Sequence, residues 1–64
     1  MNYIVLHKIN GKIVSRWDFG EDVVKACEFY EALEPQTHQA GSHEIIVKAE
    51  SLKDYYRKRI YTRI

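Results

Sequence analysis

Tyr3-Ile4-Val5-Leu6-His7-Lys8-Ile9-Asn10-Gly11-Lys12-Ile13-Val14-Ser15-Arg16-Trp17 is the stretch that decides the fold. Two runs of β-branched and aromatic residues flank an Asn-Gly pair. A type I′ turn needs positive φ at both central positions, and Asn-Gly supplies it at least cost, so this stretch is a β-hairpin. A two-residue loop opposes Ile9 to Lys12, Lys8 to Ile13, His7 to Val14, Leu6 to Ser15, Val5 to Arg16 and Ile4 to Trp17. Side chains alternate across a strand, so Ile4, Leu6, Ile13 and Trp17 share one face. Tyr3, Val5, His7, Val14 and Arg16 share the other. The first set has the tryptophan and less charge, and is expected to face the core. The second face then stays apolar and needs a cover of its own.

After the hairpin, Asp18 with Glu21 three residues on has the form of a capping box. A helix is expected from there to about Glu34, ended by Pro35. Phe19, Val23, Ala26, Cys27, Tyr30 and Leu33 fall on one helical stripe, while Glu21, Lys25, Glu28 and Ala32 lie opposite. Glu34 to Ser42 is polar, contains the single proline, and is expected to be a loop. Glu44 to Ala49 forms a third strand. Ser51 then has the character of an N-cap, and Leu52, Tyr56 and Ile60 recur at every fourth position, which predicts a second helix. Arg59 to Ile64 also alternates with high β propensity, and a short terminal strand is the competing reading there. The expected order is β-β-α-β-α. This is an α+β domain with a three-stranded, mainly antiparallel sheet, one amphipathic helix across a face and a short C-terminal helix.

Sixty-four residues make one domain, 1–64, with no room for a second core. So short a chain buries only about 60% of its unfolded surface, and its stability is expected to be a few kcal/mol. The single cysteine, Cys27, cannot close an internal disulfide, which fits a reducing, cytoplasmic setting. Residues 1–9 lack the character of a secretory leader, and no apolar run approaches a membrane span. The net charge of +1 hides a division along the chain. Residues 1–17 have three cations and no acid. Residues 18–50 have eight acids against Lys25 and Lys48, and residues 51–64 have five cations against Asp54. Opposite fields on separate elements bear on partners more than the total does.

Catalytic and metal chemistry find little support. His38 and His43 are separated by four residues across the loop without a paired ligand motif, and Cys27 falls on the core stripe, so no metal or cofactor is expected. The three glycines, at 11, 20 and 41, build no phosphate loop. No catalytic residue is assigned, no small-molecule substrate is expected, and the chain is expected not to be an enzyme. The expected function is contact with another protein or with a second copy, as an inhibitor, adaptor or homodimer subunit. Short motif-free chains of this build are common among phage and mobile-element genes. The expected interface comprises Tyr3, Val5, His7, Val14 and Arg16 on the open sheet face and Glu21, Asp22, Glu28 and Glu31 on the helix. The Pro35–His43 loop is a third surface. A rival reading takes the basic, aromatic C-terminal segment as a nucleic-acid module, with Lys53, Tyr55, Arg57, Lys58, Arg59 and Arg63 on phosphates and bases.

Overall fold

A computed structural model describes residues 1–34 and 39–64; residues 35–38, and with them the expectations for Pro35 and His38, lie outside the described residues. Strands β1 (Tyr3–Ile9) and β2 (Lys12–Asp18) form the hairpin, with Asn10 at φ 51° and Gly11 at φ 83°. Helix α1 (Val23–Ala32) follows, then β3 (Gly41–Ala49) and β4 (Arg57–Arg63). All three strand pairings are antiparallel, in the order β2-β1-β3-β4. The α+β class stands, but the expected three strands and C-terminal helix do not. Four strands and one helix are present among the described residues. The four-residue spacing of Leu52, Tyr56 and Ile60 mimics a helical stripe, yet Arg57 to Arg63 pairs with β3 along seven positions. Cross-strand pairing outweighs a weak capping signal at Ser51.

The hairpin register departs from a simple two-residue count. Ile9 opposes Lys12 and Lys8 opposes Ile13, but a bulge at Val14 brings His7 opposite Ser15, Leu6 opposite Arg16 and Val5 opposite Trp17. One extra residue on one strand reverses the facing of everything beyond it. Trp17 therefore joins Val5, not Ile4, and the expected core face is exchanged. Val5, Ala26, Tyr30, Ile45 and Val47 form the main core under α1, joined at its margin by Tyr3, Trp17, Phe19, Cys27, Phe29, Leu33 and Tyr61. Phe29 bridges two rings, with centroids 4.9 Å from Trp17 and 5.2 Å from Phe19.

Helix α1 also begins later than the capping-box pattern predicts. Asp18 ends β2, where one carboxylate oxygen accepts from the Gly20 amide at 2.9 Å and the other from Asn2 Nδ2 at 2.7 Å. These bonds, the Gly20 amide first, hold the Asp18 carboxyl below its ordinary range. Gly20 at φ 59° turns the chain, and Asp22 becomes the true N-cap, accepting from the Lys25 amide at 3.0 Å. At the other end, Arg59 of β4 donates to the carbonyl oxygens of Tyr30 and of Leu33, the latter at 2.6 Å. A guanidinium thus satisfies carbonyls that the end of a helix leaves without partners. Residues 57–63 lock the helix as a strand.

The far side of the sheet has no described element over it, yet Ile4, Leu6 and Ile46 are only 4%, 6% and 7% exposed. Their neighbours in register are Arg16, Lys48 and Lys58. Arg16 on β2 pairs with Glu50, just beyond β3, so its side chain crosses over β1. Lys58 reaches back to Glu44 at 3.9 Å. Long aliphatic stems with charged ends roof the apolar centre of this face. No second helix is needed there.

Candidate contact surfaces

The bulge and α1 together redistribute the residues that the sequence singles out. Val5 lies buried beneath α1 with Tyr3 partly buried at the margin of that cluster, and His7 is buried on the same face of the sheet against His43. Val14 is exposed at the bulge, and Arg16 lies on the opposite face in its pairing with Glu50 and Asp18. These five residues therefore share no surface. Of the helix acids, all four are exposed, but Asp22 serves as the N-cap and Glu31 pairs with Arg57 at 2.5 Å. Glu21 and Glu28 remain without an ion pair among the described residues.

The basic segment is divided in the same way. Arg57, Arg59 and Arg63 alternate with Lys58, Ile60 and Thr62, so the arginines share the helix side of the sheet and Lys58 the far side. Arg57 and Arg59 both lie over the Tyr30 ring, at 5.3 and 4.7 Å from its centroid, and Arg59 also lies 5.5 Å from Tyr61. Two of the cations expected to meet phosphate are engaged by α1 and its margin.

What remains outside is the connection between β3 and β4, residues 50–56. Leu52 is 45% exposed, and Tyr55 and Tyr56 are each 51% exposed. The Leu52 amide donates to the Ala49 carbonyl at 3.1 Å and the Tyr56 amide to Val47 at 2.8 Å, which fixes both ends of the turn. The Tyr56 ring packs at 5.9 Å and 32° against Tyr3. A hydrogen bond with Tyr3, aided by partial burial, raises its phenol above the ordinary value. Among the described residues Tyr55 has no ring partner; Lys58 Nζ lies 5.1 Å from its centroid. Lys53, between Leu52 and Tyr55 in sequence, is exposed. Two aromatic rings, one aliphatic chain and the Lys53 cation are thus displayed on a held turn, with Lys58 of β4 beside Tyr55. Tyr55 and Lys53 stand out in the sequence because aromatics interleave with cations. Leu52 and Tyr56 do not, because a helical reading assigns them to a buried stripe.

Inside the core, His7 Nε2 and His43 Nδ1 are hydrogen bonded at 3.0 Å, their rings stacked with centroids 5.3 Å apart. His43 Nε2 lies 2.7 Å from the Gln39 carbonyl oxygen. A carbonyl only accepts, so His43 Nε2 carries the proton, its Nδ1 accepts, and His7 Nε2 donates. Burial, with the neighbouring His43 as the lesser cause, lowers the affinity of His7 for a second proton. Neither hairpin nor loop periodicity signals this pair.

Among the described residues no cluster of three His, Cys, Asp or Glu side chains is placed to hold a metal ion, and no helix is long and apolar enough to cross a membrane. Cys27 is half-buried at the margin of the core. In comparisons with known proteins the chain matches no family model, no curated protein and no solved structure.

Proposed function

We propose that this chain is a non-enzymatic binding protein that acts by contact with another protein through residues 50–56. The observation that carries the reading is the exposure of Leu52, Tyr55 and Tyr56 on one short, hydrogen-bonded connection. Exposed apolar groups on one turn mark contact surfaces, and tyrosine is among the residues that dominate the energetics of such surfaces. Here Tyr56 lies beside Tyr3 toward the helix side of the sheet, and Tyr55 beside Lys58 toward the far side. Backbone bonds already hold the turn, so little ordering entropy opposes docking. The decisive comparison is affinity capture from native cells with the wild-type chain and with a Leu52→Ser/Tyr55→Ser chain. A partner retained by the first and lost by the second, at unchanged circular dichroism, supports the reading. Equal capture by both sinks it.

A nucleic-acid contact is the second reading, favoured by Lys58 beside Tyr55 and by the exposed Lys53. Rings and cations side by side suit a single strand. Titration of labelled DNA and RNA at several salt concentrations separates the two, since phosphate contacts give an affinity that falls steeply with salt.

A further inference from the structure

We infer that β4 is a pairing edge for a second copy of this chain, the two β4 strands meeting antiparallel about a two-fold axis at Ile60. This goes beyond the contact through residues 50–56 and does not rest on it. β4 ends the sheet order, so one side of its backbone faces no described strand. Such a row of unpaired N–H and C=O groups is a template for another strand unless something blunts it. The opposite edge is blunted, because β2 has the bulge at Val14. β4 is not. Its seven pairings with β3 run without a register shift.

Cations on an edge ordinarily discourage pairing, and β4 has four of them. Arg57, Lys58 and Arg59 are turned onto their own molecule. Arg57 pairs with Glu31, Arg59 donates to the Tyr30 and Leu33 carbonyls, and Lys58 reaches Glu44. The exposed large apolar residue of β4 is Ile60, 59% exposed at the middle of the strand. A two-fold axis there sets Ile60 against Ile60, Arg59 against Tyr61, Lys58 against Thr62 and Arg57 against Arg63 of the second copy. The first pairing buries apolar surface. The second places a guanidinium beside a ring, twice by symmetry, a pairing Arg59 and Tyr61 already make within one chain at 5.5 Å. Only the outermost pair sets like charges together, and there Arg57 already has Glu31 as counter-ion. A two-fold axis closes the assembly at two copies, giving one eight-stranded sheet with α1 of each copy on the same side.

The test uses the dyad itself. The wild-type chain should sediment at twice its 7.6 kDa mass as concentration rises. Ile60→Glu and Ile60→Lys, each at an exposed position that leaves the monomer folded, should each remain monomeric, because each sets identical charges face to face. Mixed in equal amounts, the two variants should recover the dimer through an opposite-charge pair across the axis. A wild-type chain that stays monomeric to millimolar concentration overturns the proposal. So does a dimer that Ile60→Glu leaves intact, or a mixture that fails to recover it. Leu52→Ser/Tyr55→Ser should leave the dimer unchanged, so failure of this pairing and failure of the contact reading are separate results.

Discussion

His7 and His43, thirty-six residues apart, share a buried hydrogen bond of 3.0 Å between Nε2 and Nδ1 on the face that α1 covers. The Gln39 carbonyl fixes the tautomer of His43, and so the direction of the bond. A proton added to His7 must be accommodated in a desolvated site beside another imidazole. Its affinity for that proton is lowered from the ordinary value of 6.5. The unfolded chain binds the proton more readily. The stabilisation is therefore present in full above about pH 6.5 and is lost as the pH falls below it. Denaturant midpoints between pH 8 and pH 5 should fall, with a slope of at most about 1.4 kcal/mol per pH unit for one proton. His7→Leu should flatten that slope, and an equal slope in the variant would assign the effect elsewhere.

Arg59 ties the last turn of α1 to β4 through two carbonyl oxygens. Arg59→Met keeps much of the side-chain volume and removes the donors. It should cost about 1.5–3 kcal/mol, the range for hydrogen bonds to a charged group. Urea denaturation followed by circular dichroism checks it. Both bonds leave the single nitrogen Nη2, so Arg59→Lys should recover part of the loss, limited by the shorter reach of its ammonium and the absence of a planar group over the Tyr30 ring.

The hairpin tip is held from outside the hairpin. Asn10 Oδ1 accepts from the Ser42 amide at 2.9 Å, and the Asn10 amide donates to the Ser42 carbonyl at 2.8 Å. Gly41 sits against this contact at φ 130°, and a Cβ there would lie 2.5 Å from Asn10 Oδ1. Gly41→Ala should cost about 1–3 kcal/mol, combining backbone strain with displacement of the Asn10 side chain. Gly20→Ala has open space for its Cβ but still meets a φ of 59°, so it should cost less. Thermal melts of the two variants give the order directly.

Tyr30 is the largest fully buried side chain, and two arginines lie over its ring. Tyr30→Ala should cost about 3–5 kcal/mol, by analogy with other large aromatic truncations. In a domain with a few kcal/mol to spare, that unfolds the chain at ambient temperature. A cooperative melt retained by Tyr30→Ala would show that the core does not centre on this ring.

The turn chemistry of Asn10-Gly11 is fully legible in the sequence, as is the register next to it at Ile9–Lys12 and Lys8–Ile13. Legibility stops at Val14. A bulge is a tertiary adjustment that lets Trp17 reach the α1 face, and no local residue type announces it. The face assignment of Tyr3, Val5 and His7 is lost at that one residue. The existence of α1 follows from its apolar spacing, while its start does not, because Asp18 and Asp22 both have cap chemistry and Gly20 decides between them. β4 is obscured because Leu52, Tyr56 and Ile60 keep a helical interval by coincidence, two of them in a turn and one on a strand. The exposure of Tyr55 and Tyr56 follows only once that strand is seen.

The central claim, that contact is made through residues 50–56, is tested most directly by hydrogen exchange on the chain bound to its captured protein partner. Protection gained on binding should concentrate on the amides of residues 51–56. Protection that falls instead on residues 21–28, at the start of α1 and the turn before it, with residues 51–56 exchanging as in the free chain, would contradict it.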